Sequence, residues 1–262
     1  MTDQGRAGKP WWIAYEYLAM FLGLGALALI CLGWLPFAMI LYPLLPRRFA
    51  QPCGRFMISG GFRVYLSILS FFCACRFELS ELDQLRDEGP LILAANHPSL
   101  LDAVMIVSRL PNAVCVMKAA LMDNILFGAA ARLARYIRNN APLEMILNAR
   151  EELASGAQLV IFPEGTRTSD FPVDPCTPST GLIAGRTAVP VQTLLIEFST
   201  PYLGKAWPLF RRPILPLHCT IRLGRRFSAP GNVEAFTREL EAYFRSELKI
   251  TAQGLSTAAF VA

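Results

Sequence analysis

The sequence predicts an α/β fold: a central, mostly parallel or mixed sheet flanked by helices, with an N-terminal membrane-embedded helical segment ahead of it. Three observations carry this expectation. From residue 78 onward, short apolar runs alternate with helix-like stretches. Near the front, no charged side chain occurs between Tyr17 and Leu45. Two polar clusters each follow directly on an apolar run, and the ends of strands are where an α/β sheet exposes functional groups.

The N-terminal segment explains the composition. Of 262 residues, 53% are hydrophobic and 17% charged, against about 25% charged in ordinary soluble domains. A bilayer core takes about 20 consecutive apolar residues, and the run from Tyr17 to Leu45 exceeds that. A signal peptide has an apolar stretch of only about 7–15 residues followed by a small-residue cleavage site. This run ends instead on Pro46, Arg47 and Arg48, which read as a stop and an anchor. Pro36 and Pro43 lie in its second half and permit either a kink or a re-entrant hairpin. Arg47, Arg48, Arg55 and Arg63 behind the run outweigh Arg6 and Lys9 before it, which Asp3 partly offsets. The heavier basic side stays in the cytoplasm. The catalytic part is therefore expected on the cytoplasmic face of a membrane, taken as a bacterial inner membrane. Val64 to Cys75 is too short to span and suits a helix in the interface or packed on the first. The expected division is an anchor with its interfacial helix over 1–77 and a catalytic domain over 78–262.

The net charge of +5, beside a membrane segment, points to anionic membrane lipids as partners and away from nucleic acid. Seven cysteines are scattered without paired spacing. They read as reduced thiols, since no second pair or histidine completes a zinc site.

Along the catalytic part, Leu91–Ala95, Ala113–Met117, Gln158–Phe162 and Val189–Phe198 read as strands. Leu100–Leu110, Asn124–Tyr136 and Leu143–Ser155 read as helices. The proline-rich stretch Phe171–Pro178 is the longest expected irregular piece. His218 lies in a strand-like run, Ile214–Leu223, and is read as structural.

Chemistry concentrates at three places. After the first strand comes Asn96-His97-Pro98-Ser99-Leu100-Leu101-Asp102. A separation of five keeps His97 and Asp102 off one continuous helical face. They meet if His97 sits in the turn and Asp102 in the first helical turn, where a carboxylate can hold one ring nitrogen and leave the other as a base. Ser99 and Asp102 also have capping-box spacing, so Asp102 can equally serve the start of a helix. The second place, Phe162-Pro163-Glu164-Gly165-Thr166-Arg167, again follows a strand, and its arginine offers a planar fork suited to phosphate. It also reads as ordinary turn chemistry. The third is Lys118 at a strand end, with Arg132, Arg135 and Arg138 beyond it at a spacing of three, expected on one helical face.

In this order the segments resemble the glycerolipid and lysophospholipid acyltransferase family over about residues 85–200. His97 through Asp102 matches its first motif, a histidine, four residues and an aspartate. Phe162–Arg167 matches its third, and Lys118 to Arg138 is similar to its second. Val189-Pro190-Val191 resembles the fourth, without the second proline the family often has, since Gln192 and Thr193 follow. The resemblance implies that His97 is the general base, oriented by Asp102. It also implies that Lys118, Glu164, Gly165, Thr166, Arg167 and Arg138 bind the acceptor. The acyl donor is a thioester of coenzyme A or acyl carrier protein, and neither a metal nor a prosthetic group is called for.

Two neighbouring readings keep part of this. The same chemistry could serve a glycolipid or specialised aryl lipid, because Pro201–Arg212 resembles acyltransferases encoded with bacterial aryl-polyene pathways. A non-catalytic lipid-binding protein has no need to keep His97, Asp102 and Glu164 together. A serine hydrolase would need a Gly-x-Ser-x-Gly elbow, which this sequence lacks.

Overall fold

The computed structural model describes residues 9–139 and 141–261; Asp3, Arg6 and Asn140 lie outside them. The sheet is built from β1 (Cys75–Glu78), β2 (Leu91–Ala95), β3 (Ala113–Met117), β4 (Ile137–Arg138), β5 (Gln158–Ile161), β6 (Val191–Phe198) and β7 (Leu217–Phe227). Their spatial order is β1-β7-β6-β2-β5-β3-β4. Every neighbouring pair is parallel except β6 with β7. β2 therefore lies between β5 and β6, and all five of its residues are buried. Helices cover both faces of such a strand, which is why Leu91–Ala95 is apolar at every position rather than alternating.

The connections are α3 (Leu101–Arg109), α4 (Ala119–Met122), α5 (Ile125–Leu133), α6 (Pro142–Ala154), α7 (Ser179–Thr187) and α8 (Val233–Val261). β1 crosses the boundary expected at residue 77, so the sheet begins inside the segment assigned to the anchor. His218 lies within β7, where its backbone N–H donates to Ser199 Oγ at 3.0 Å.

Two expectations are corrected. The helix read over Asn124–Tyr136 stops at Leu133. The Tyr136 N–H returns to Ala131 O at 2.9 Å and the Arg135 N–H to Arg132 O at 3.1 Å, which closes the helix with Arg135 in the left-handed region at φ 60. Arg132, Arg135 and Arg138 consequently share no helical face, and Arg138 stands on β4. The longest irregular piece is residues 199–216 between β6 and β7, rather than Phe171–Pro178.

At the N-terminus, α1 (Pro10–Leu44) and α2 (Arg47–Phe72) form an antiparallel hairpin, turning at Leu45 and Pro46. Cys73 Sγ donates to Ala19 O at 3.4 Å. Ile30 packs where Gly61 leaves room. α1 is long and apolar enough to cross a membrane by length and composition, and it continues through Pro36 and Pro43. It nonetheless stays on the catalytic domain. Trp12 Nε1 donates to Leu215 O at 3.2 Å, Glu16 pairs with Arg212, and Ala38 packs with Ala129 and Leu133. From Trp12 to Ala38 that is roughly 39 Å of helix at 1.5 Å per residue.

α2 is locked to the same domain by a buried ion pair. Arg55 pairs with Glu152, donates to Asn112 Oδ1 at 2.8 Å and reaches Ala134 O at 3.2 Å. The two charged side chains are only 5% and 4% exposed, so removing one partner would leave a buried charge and cost about 3–5 kcal/mol. Gly54 permits this approach, since a Cβ there would stand 2.7 Å from Ala134 N.

Candidate active site

The parallel strands all point the same way, so the segments leaving β2, β3, β4 and β5 emerge on one edge of the sheet. His97, Lys118, Arg138 and Glu164 are carried there. The turn after β2 is fixed first by Asn96. Its amide donates to Ile196 O and accepts from the Ile196 N–H, both at 2.8 Å, and pins the turn to β6.

His97 Nδ1 then lies 2.8 Å from Asp102 Oδ2. The same oxygen accepts the Ser99 N–H at 2.8 Å, and Ser99 Oγ accepts the Leu101 N–H at 3.2 Å. Asp102 thus serves both alternatives open in the sequence: it starts α3 and it holds the imidazole. Its side chain is fully buried. Burial pushes the carboxyl above the usual carboxylate range, while the Ser99 N–H and the Arg167 charge pull it back toward the ionised form. Oδ2 faces both His97 Nδ1 and the Ser99 N–H, while Oδ1 is buried and makes no hydrogen bond.

His97 itself is 16% exposed in its side chain. Burial holds its pKa down at about 4, helped by the charges of Arg167 and Lys118 and opposed by Glu164. That lowering favours the neutral ring at pH 7, and Nδ1 is the ring nitrogen that Asp102 engages. Phe162 stacks on it, the ring centroids 3.8 Å apart and 15° from parallel.

The turn after β5 wraps around this histidine. Phe162 O accepts the Gly165 N–H at 2.9 Å, and Gly165 takes the left-handed conformation at φ 69. Glu164, buried, accepts the His97 N–H and the Thr168 hydroxyl on Oε1, and the Asp174 N–H on Oε2, each at 2.9 Å. The Thr168 N–H closes the clasp on His97 O at 2.8 Å. Glu164 is raised by burial and drawn back by these donors. The structure engages both of its oxygens with the protein, so it joins the two turns.

Arg167 donates through Nη1 to Leu203 O at 2.9 Å and Gly204 O at 2.6 Å. The segment 199–216 is thereby drawn against the turn, where Leu203 O also accepts the Leu100 N–H at 3.2 Å. Lys118 is exposed at the end of β3. Arg138 pairs in register with Met117 on β4 and bonds Asp123. β4 is three strands from β2, roughly 14 Å across the sheet, which sets Arg138 at the rim. Thr166 lies half-buried in the third-motif turn. Gln192, at the departure from the fourth motif, donates to Gly224 O at 2.6 Å and accepts from Arg226 Nε at 2.9 Å, joining β6 to β7.

Sequence reasoning singled out neither the pinning by Asn96 nor the stacking by Phe162 nor the clasp through Thr168 and Asp174. Asn96 and Phe162 adjoin residues that were singled out, but their partners come from β6 and from the opposite turn.

The Acyltransferase family model matches residues 76–197, which include both turns. A Caenorhabditis elegans protein named as a 1-acyl-sn-glycerol-3-phosphate acyltransferase, acl-2, is 29% identical over 154 residues, 54% of this chain and 55% of the relative. The chain thus spans about half the length of that relative. In fold, the structure is similar to the 1-acyl-sn-glycerophosphate (LPA) acyltransferase PlsC from Thermotoga maritima. The TM-score is 0.68, with 19% identity and coverage of 90% of this chain and 95% of that one. Both strand-end turns, with His97, Asp102 and Glu164, lie inside the segment that the Acyltransferase family model matches.

Proposed function

We propose that this protein transfers a fatty acyl group from a thioester to the hydroxyl of a lysophosphatidate-like acceptor, with His97 as general base. The observation that carries the reading is the half-buried imidazole held by Asp102 at 2.8 Å, with the charges of Arg167 and Lys118 acting on it. His97 Nε2 takes the hydroxyl proton as the oxygen attacks the thioester carbonyl. The imidazolium formed is stabilised by the Asp102 carboxylate, as in a hydrolase triad with the substrate alcohol in place of serine. Collapse of the tetrahedral intermediate breaks the carbon–sulfur bond, and the proton on Nε2 passes to the leaving thiolate. The proton balance closes on His97, so the scheme calls on neither a metal nor a prosthetic group.

Lys118 and the Arg167 fork bind the acceptor phosphate. Thr166 and Gly165 shape that side of the turn, Glu164 acts through the clasp, and Arg138 is a weaker outer contact. The names of the relatives support the acceptor class. The acyl chain lies in the apolar groove between α1, α2 and α5, lined by Trp34, Ile58, Phe62, Met117 and Ala131. Met117 precedes Lys118 and links the groove to the site. The hairpin of α1 and α2 acts as the membrane anchor, and the catalytic domain begins with β1 at Cys75. Because α1 follows the domain over most of its length, the hairpin embeds beside it, with Phe21, Leu32, Phe37 and Ile40 exposed toward lipid.

The test uses purified protein with labelled lysophosphatidic acid and long-chain acyl-CoA or acyl carrier protein, the lipid product being followed by mass. A diacyl product is expected. Lys118→Ala and Arg167→Ala are expected to raise KM for this acceptor by about tenfold or more, the scale of a charge-assisted contact, and to spare an acceptor without phosphate. Equal losses on both acceptors would contradict phosphate recognition.

A further inference from the structure

A second basic constellation lies away from the catalytic turns, where α1 turns into α2. A cavity of about 400 Å³ there is lined by Arg47, Arg132 and Arg135 together with Tyr42, Leu45, Ala50, Gln51 and Leu133. None of these residues belongs to the site described above. We propose that this cavity binds the phosphate of an anionic membrane phospholipid.

Charge supports an anionic ligand. The carboxylates that pair with the surrounding arginines are Glu151 and Glu152. Glu151 faces Arg47 and Arg135, and Glu152 faces Arg55 and Arg135. Arg132 uses one N–H on Met122 O at 2.8 Å. Four arginines (47, 55, 132 and 135) against two glutamates leave two positive charges at the cavity.

Arg135 stands at φ 60 at the left-handed position that closes α5, and its guanidinium lines the cavity while pairing with Glu151 and Glu152.

The apolar wall selects a lipid over a free phosphate. Leu45, Ala50 and Leu133 belong to the small cluster around Ala38. They continue onto the exposed side chains Ile40, Tyr42, Leu44 and Phe49, a surface that can take an acyl tail leaving the headgroup. The neighbouring groove between α1, α2 and α5 opens toward Met117 instead, so this cavity lies beyond the end of the groove farther from Lys118.

The test uses the full-length protein in neutral detergent, titrated with short-chain phosphatidylglycerol, short-chain phosphatidylcholine or inorganic phosphate. Adducts are read by native mass spectrometry and the unfolding midpoint by thermal shift. One retained phosphatidylglycerol is expected on the wild type and on the Lys118→Ala/Arg167→Ala variant. Arg135→Gly is expected to weaken it by about tenfold or more in protein that remains folded, since glycine relieves the left-handed strain as the pairs to Glu151 and Glu152 are lost. Equal binding by Arg135→Gly, or equal binding of phosphatidylcholine, would overturn the proposal. So would inorganic phosphate competing at the same concentration, which would reduce the cavity to a general anion site. Loss of the adduct in the Lys118→Ala/Arg167→Ala variant would assign the lipid to the catalytic centre and also overturn it.

Discussion

The turn after β2 and the turn after β5 each deliver one buried carboxylate to His97, and the two carboxylates do different work. Asp102 touches the ring at Nδ1, so it acts on the proton. Glu164 touches the backbone N–H of the same residue, so it acts on position. Both are buried acids raised by desolvation, and neither burial nor sequence spacing separates them. What separates them is which donor each accepts.

The sharpest way to break that distinction is Asp102→Asn. The amide keeps the volume but offers no negative charge to an imidazolium, and it can turn an N–H toward the ring. The expected loss in kcat is about 10²–10⁴-fold, checked by steady-state turnover with KM nearly unchanged. Glu164→Gln should act the other way round. An amide in that place meets three donors with one acceptor oxygen, leaving a buried donor unmatched at about 1–3 kcal/mol. The expected result is a lower unfolding midpoint with a loss in turnover of about tenfold, measured on the folded fraction.

A pH profile sharpens the comparison from the electrostatic side. His97 has its pKa lowered to about 4 from 6.5, so the acid limb of kcat/KM should fall near pH 4. Removing a neighbouring positive charge with Lys118→Ala should move that limb upward. The linkage has the matching sign. The unfolded histidine binds its proton first, so this contribution to stability is complete above about pH 6.5 and is lost as pH falls toward 4. Phe162→Leu, which removes the stacked ring, is expected to give the smallest effect. Turnover should fall severalfold, in line with about 0.5–1.5 kcal/mol for an aromatic pair.

The legible parts of this fold are those whose physics is local. β2, β3, β5 and β6 are apolar runs, and His97, Asp102 and Glu164–Arg167 sit where those runs end. β1 and β4 are too short to carry a pattern, and pairing alone makes them strands. The three arginines from 132 to 138 mislead because spacing assumes that the helix continues. Arg135 ends it with a backbone conformation usual for glycine. α8 had a readable signal in Pro230-Gly231-Asn232, where the Asn232 side chain accepts the Ala235 N–H at 3.0 Å, followed by Phe236, Leu240, Phe244 and Leu248 at helical spacing. The chain turns at Leu45 and Pro46, after the apolar run, rather than within it at Pro36 or Pro43, and α2 packs on α1 as one of the two arrangements open for Val64–Cys75. The Glu16–Arg212 pair, which joins residues 196 positions apart, and the Arg55–Glu152 lock settle how the hairpin docks, and sequence spacing does not reveal such contacts.

The central claim is that His97 accepts the acceptor's proton, and His97→Ala tests it most directly. In a single-turnover assay with thioester and lysophosphatidic acid, wild type should form the diacyl product. The variant, folded with an intact hairpin, should be slower by about 10²–10⁴-fold. A variant that turns over within a few-fold of wild type would contradict the claim and leave the His97–Asp102 pair a structural feature of the β2 turn.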